Sequence, residues 1–125
     1  MGPVARHLIG VLAMLALGTS AAWAQPASYP AHLERVIDGD TYVLCIELGF
    51  DVVFRARIRL EGLDTPERFT PEGRRASAAA EALLQAGPVL VVPTGARSFE
   101  RHVAHIYVAG VSLAARLRAD GHAKR

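Results

Sequence analysis

The sequence predicts a mainly β fold with helices (α+β), built as a small closed barrel, and three observations carry that expectation. Four or five short segments rich in Val, Ile, Leu and Tyr are separated by Gly, Asp and Pro turns. One of them, Val52 to Glu61, alternates: Phe54, Ala56, Ile58 and Leu60 share one face, and Arg55, Arg57 and Arg59 share the other. A helical pattern from Pro71 to Gln85 interrupts the strands, giving the order β-β-β-α-β-β-α. Short strands with one interposed helix fit a barrel of the OB type, while a split α+β sandwich fits the same pattern.

The N-terminus opens with one fixed charge, Arg6, then the apolar run Leu8 to Leu17, then Ala22-Trp23-Ala24. Charge, short apolar run and small-residue cleavage site define a secretory signal peptide over residues 1–24, cleaved after Ala24. The run is about half the roughly 20 residues that cross a bilayer, so no membrane attachment is expected of the mature chain. A secreted or periplasmic location follows. Residues 25–31 read as a Pro/Ala/Ser linker and residues 32–125 as one domain, expected to be a monomer.

His32 to Ile37 and Thr41 to Glu47 are predicted strands around the turn Asp38-Gly39-Asp40. Leu48 to Asp51 is a second turn into the alternating strand, whose apolar face points to the core and whose arginine face points outward. In the helix, Pro71 and Glu72 suit the first turn, Ala76, Ala79, Ala80, Leu83 and Leu84 form the apolar stripe, and Gly87-Pro88 ends it. Val89 to Val92 and His102 to Tyr107 are two further strands joined by a loop, Pro93 to Ser98. Ala109-Gly110 turns the chain into a helix from Ser112 to Asp120, stopped by Gly121.

The whole chain carries 14 Lys+Arg against 12 Asp+Glu, a net charge of +2, and loss of Arg6 with the signal leaves +1. Strong global attraction to polyanions is excluded, so affinity for nucleic acid must come from local clusters of arginine. Cys45 is the only cysteine, which excludes an internal disulfide; within Tyr42 to Ile46 it reads as a small buried hydrophobe.

Two acidic clusters are the candidates for chemistry: Asp38-Gly-Asp40-Thr41 in the first turn, and Leu63-Asp64-Thr65-Pro66-Glu67 after the third strand. Each alone is ordinary turn chemistry. Together, carboxylates from two strand ends can converge on a hard cation that takes oxygen ligands. The EF-hand spacing is absent, and no Cys/His cluster has zinc spacing. Arg59 stands five positions before Asp64 on the outward face of the strand delivering it. A guanidinium beside a metal-binding carboxylate suits phosphoryl chemistry, where charge develops on phosphate oxygens. His102 and His105, three apart on a strand, point to opposite faces and are not expected to chelate one ion.

The run Val36-Ile-Asp-Gly-Asp-Thr41, followed by Arg59-Leu-Glu-Gly-Leu-Asp-Thr-Pro-Glu67, closely resembles the staphylococcal nuclease (thermonuclease) family. So does Arg101-His-Val-Ala-His-Ile-Tyr-Val-Ala-Gly110 leading into the last helix and Gly121-His-Ala. The likeness spans His32 to Lys124, and D-T-P-E with an arginine five before it is its most specific part. It implies a five-stranded OB barrel with helices and calcium (Ca2+)-dependent hydrolysis of DNA and RNA, leaving 3′-phosphate ends. By the same resemblance, Asp40 and Asp64 would give carboxylates to the calcium and Thr65 its backbone carbonyl. Glu67 would orient or deprotonate the attacking water. Arg59 and Arg101 would hold the phosphate.

The chain departs from the family archetype in three places. The segment between Glu67 and the first helix is much shorter. Ser98-Phe99-Glu100 replaces a Lys-Tyr-Gly triplet before Arg101, which sets a negative charge beside that arginine. The chain ends at Arg125, so the archetype's third helix is expected to be missing, with the substrate-contacting tyrosine after the second helix. Two other readings stand beside the nuclease. One is an OB-fold module that binds nucleic acid or protein with little catalysis; the other is a truncated fragment that folds poorly. All five charged positions of the family's site are present, which favours the enzyme.

Overall fold

The computed structural model describes residues 27–125. The predicted signal peptide, its cleavage point and the start of the predicted linker lie outside those residues. Strands β1 (Tyr29–Asp38), β2 (Thr41–Gly49) and β3 (Val52–Leu60) form an antiparallel meander, followed by helix α1 (Pro71–Gln85). Strands β4 (Val89–Ser98) and β5 (Arg101–Val108) form a hairpin, and a two-residue strand β6 (Val111–Ser112) leads into helix α2 (Leu113–Ala119).

The sheet order is β3-β2-β1-β4-β5-β6, and an additional parallel pairing of β3 with β5 closes the ring. Ile58 lies opposite His102, Arg59 opposite Val103 and Leu60 opposite Ala104. The result is a closed five-stranded barrel with two helices, an OB-like α+β fold. Closure excludes the split sandwich, because the third and fifth strands are hydrogen-bonded neighbours.

The barrel interior is filled by Tyr42, Leu44, Ile46, Ile58, Leu60, Val89, Val91, Ala104 and Ile106. The helices cap it with Ala80, Leu84, Leu113 and Leu117. Of the predicted stripe, Ala76, Ala80 and Leu84 are buried, and Ala79 and Leu83 pack half-buried against the core. Helix α1 starts where Thr70 caps it: the Thr70 hydroxyl accepts from the Gly73 N–H at 3.0 Å and donates to the Glu67 carbonyl at 2.7 Å. Helix α2 ends in a Schellman arrangement, with Gly121 in the left-handed region (φ 84°), Gly121 N–H on Arg118 O and His122 N–H on Leu117 O. Among the described residues no helix is long and apolar enough to cross a membrane.

Several boundaries differ from expectation. Strand β1 begins at Tyr29, inside the predicted linker, because Tyr29 to Ala31 pair with Val89 to Val91 of β4. Strand β4 continues past Val92, through an irregularity between Pro93 and Arg97, to the pair Ser98–Arg101. Pro93 has no N–H for the ladder and Gly95 adopts φ 84°, so the expected loop is a bulged strand arm instead. The turn residues Phe99-Glu100, Phe50-Asp51 and Ala109-Gly110 all have positive φ, as two-residue hairpins require. On β3 the alternation holds at Ile58 and Leu60, both 2 % exposed, but Phe54 lies nearer the barrel mouth and is exposed. Its ring instead meets His102 edge-on at 5.5 Å. His105 is exposed, Phe99 lies bare at its hairpin tip, and Cys45 is half-buried rather than buried.

Candidate functional site

The turn between β1 and β2 is fixed by its own polar groups. Asp40 N–H donates to Asp38 Oδ1 at 3.2 Å, and the Tyr42 hydroxyl donates to the Gly39 carbonyl. Gly39 has no room for a side chain: a Cβ there would meet Thr65 Oγ1 at 2.6 Å and the Ala76 Cβ at 2.8 Å. The first acidic turn is therefore pressed against the second acidic segment and the flank of α1.

That contact brings the two clusters together. Asp40 is 8 % exposed, and its Oδ2 accepts from the Thr65 N–H at 2.9 Å while Oδ1 accepts from the Thr41 hydroxyl at 3.2 Å. Arg59 spans the carboxylates. Its Nη2 lies 3.5 Å from Asp40 Oδ2 and is hydrogen-bonded to Asp64 Oδ1, and its Nη1 donates to the carbonyls of Leu60 and Leu63 at 2.7 Å. The outward direction expected for Arg59 holds, yet it is shielded: its side chain keeps 17 % of its exposure, against 76 % for Asp64.

Arg101 joins from the first residue of β5. Its Nε and Nη2 donate to the Ser98 carbonyl and hydroxyl at 2.9 and 3.0 Å, and its Nη1 donates to Thr41 Oγ1 at 3.2 Å. The Phe99 ring lies 5.7 Å from the Arg101 guanidinium carbon. Thr41 thus links Arg101 to Asp40, a role that its place in the D-G-D-T turn did not reveal. Glu67 stands apart. Its side chain is 82 % exposed, and Lys124 Nζ lies 4.0 Å from its Oε1. The C-terminal tail reaches the same segment, with Lys124 N–H on the Asp64 carbonyl at 2.7 Å.

Burial raises the Asp38 carboxyl to about 6, and the neighbouring Asp40 adds to the rise. Burial also works to raise Asp40, but hydrogen bonds from Asp38 and the Thr65 N–H, with the charge of Arg59, hold it below its ordinary value. Asp40 is thus the carboxylate that stays ionised. Asp38, which stands in the motif without an assigned role, is the member of the pair that takes up a proton first as pH falls.

Among the described residues no three His, Cys, Asp or Glu side chains converge as a metal cluster. Two carboxylates, Asp40 and Asp64, do meet at one guanidinium, with Thr65 beside them. That set of hard oxygens suits calcium, which completes its shell with carbonyls and water, and does not suit zinc.

No family model matches this chain, and no curated protein matches it.

Proposed function

We propose that this chain is a secreted, calcium-dependent endonuclease that hydrolyses the phosphodiester bonds of DNA and RNA, of the staphylococcal nuclease type. One observation carries the reading: Arg59 lies between two carboxylates, Asp40 and Asp64, and Arg101 is tied to the same cluster through Thr41. The proposed ligands of the cation are Asp40, Asp64 and the Thr65 carbonyl. Calcium, when bound, supplies positive charge against the phosphate oxygens. Arg59 and Arg101 donate to those oxygens as charge develops on them. Glu67, exposed on the segment that carries Asp64, takes the proton of the attacking water. The OB barrel, the acidic pair and the arginine spacing agree with the family likeness, which rests on this chain's own residues alone.

A second reading, a barrel that binds nucleic acid or protein with little catalysis, draws on Arg101: all three of its nitrogens already donate within the protein. Degradation of plasmid DNA and of RNA by the purified protein, with calcium and then with EGTA, separates the two. The nuclease reading expects activity that EGTA abolishes and that drops at least a hundredfold in Glu67→Gln and Arg59→Ala. Activity that survives chelation, or is unchanged in those variants, overturns it. A folded, inert protein supports the binding module.

A further inference from the structure

Beside the acidic site a second, differently built cleft of about 630 Å³ opens between the C-terminal half of β1 and the start of α1. Its lining includes Arg35, Arg68, Phe69, Arg74 and Ser77, with one acidic residue, Glu81. None of the three arginines has a carboxylate partner among the described residues, in contrast to Arg55, which pairs with Glu34, and Arg59. Arg74 Nη1 donates to the Phe69 carbonyl at 2.7 Å, which fixes the backbone that carries the ring. Phe69 is 77 % exposed, an unfavourable place for a large apolar side chain. The Arg68 guanidinium lies over it, 4.4 Å from the ring centre. Ser77 lines the same wall, with its hydroxyl oxygen buried and without a hydrogen-bond partner among the described residues.

We propose that this cleft binds a single strand of nucleic acid, with Arg35, Arg68 and Arg74 on consecutive phosphates and Phe69 stacked on a base. Free arginines around an exposed, oriented aromatic ring are the combination that holds single strands without reading sequence. An acidic peptide would use the arginines but leave Phe69 unexplained. The segments that wall the cleft are continuous in the chain with those of the acidic site. Arg35 to Ile37 run directly into Asp38 to Asp40, and Arg68 and Phe69 follow Glu67. In this proposal a strand whose phosphate sits at Arg59 continues along the cleft. The use of the cleft as an extended substrate track rests on the nuclease reading; strand binding itself does not.

The test is fluorescence anisotropy of a labelled dT12 oligonucleotide in EGTA, so that no cleavage occurs, across a salt series. The protein is compared with the Arg35→Ala/Arg68→Ala/Arg74→Ala variant, with Phe69→Ala and with the single variant Arg68→Glu. All are checked by melting curves, and Arg68→Glu, a single exposed change, serves if the triple variant does not fold. Expected results are affinity at least tenfold weaker for the triple variant, a salt slope smaller by about 2 from three lost phosphate contacts, and about tenfold weaker binding for Phe69→Ala. Wild-type affinity in the triple variant or in Arg68→Glu overturns the proposal. So does polyglutamate that competes as well as the oligonucleotide, which would make the cleft a peptide site. With calcium present, cleavage of long strands should suffer in KM while a dinucleotide is cut at the normal rate. Strand binding lost in the variants of a protein that cleaves nothing would leave the cleft standing and the nuclease reading fallen.

Discussion

Gly73 is seated directly on Glu67: a Cβ built on Gly73 would stand 1.8 Å from the Glu67 carbonyl oxygen and 2.9 Å from that of Pro66. The first turn of α1 is thus the platform on which the Glu67 segment rests. On helix propensity alone, Gly73→Ala would stabilise α1 by about 1 kcal/mol. The contact with backbone, which has no flexible end to move aside, reverses that sign. Gly73→Ala is expected to cost about 2–3 kcal/mol in urea unfolding and, if the proposed nuclease chemistry holds, to lower that activity by displacing Glu67. An alanine variant as stable as the parent would show that the segment shifts freely.

Thr41→Val removes the hydroxyl between Asp40 and Arg101 while keeping the shape of a 2 % exposed side chain. Asp40 loses a donor and Arg101 loses its anchor on β2, at a cost of about 1–3 kcal/mol. If the proposed chemistry holds, kcat/KM falls about tenfold and Thr41→Ser restores it. Full activity in Thr41→Val would mean that Arg101 is placed by Ser98 alone.

Arg59→Ala leaves Asp40 ionised in a poorly solvated position, with Asp64 nearby and the carbonyls of Leu60 and Leu63 without their donor. In EGTA the variant is expected to lose about 2–4 kcal/mol. If Asp40 and Asp64 hold calcium as proposed, the ion should then raise its melting temperature by more than it raises the parent's, because it would supply the missing positive charge. A melting temperature indifferent to calcium in both proteins would remove Asp40 and Asp64 as a cation site.

The two turn carboxylates have opposite pH signatures in metal-free protein. Asp38 has a folded-state value of about 6, above the 3.8 of the free side chain. The folded protein therefore binds more protons than the unfolded one between those values, and this contribution to stability declines as pH rises from about 4 to about 6. Asp40 is shifted downward, so its contribution is present above its unfolded value and is lost in stronger acid. Asp38→Asn should flatten the decline between pH 4 and 6 and stabilise the protein at pH 7 by about 1 kcal/mol, after allowance for partial exposure. Parallel urea-midpoint profiles of variant and parent in EDTA, from pH 4 to 7, would contradict this.

The elements whose period or punctuation is local were legible in the sequence. Helix α1 runs over the predicted residues because Pro71 opens it and Gly87-Pro88 ends it, and β3 shows its two faces in simple alternation. The barrel's seam was not legible, since the parallel pairing of Ile58 with His102 leaves no local mark. The extension of β4 was hidden behind Pro93 and Gly95, which read as a loop because nothing nearby shows the partner strand that keeps them extended. In the site, the meeting of Arg59 with Asp64 followed from spacing. The link from Thr41 to Arg101 did not, because it spans most of the domain and depends on closure.

That closure has a temporal side. Arg59 lies one residue before the end of β3 and Arg101 begins β5, and they face one cluster only after the β3–β5 seam has formed, with α1 and β4 lying between them in the chain. Contacts between segments so distant in sequence are slow to form. A newly made chain that has built its meander and its helix still has Arg59 without Arg101. If the chain is the exported nuclease proposed above, such delayed assembly would act as a safeguard, keeping the unfinished polypeptide harmless to the nucleic acids of the cell that makes it.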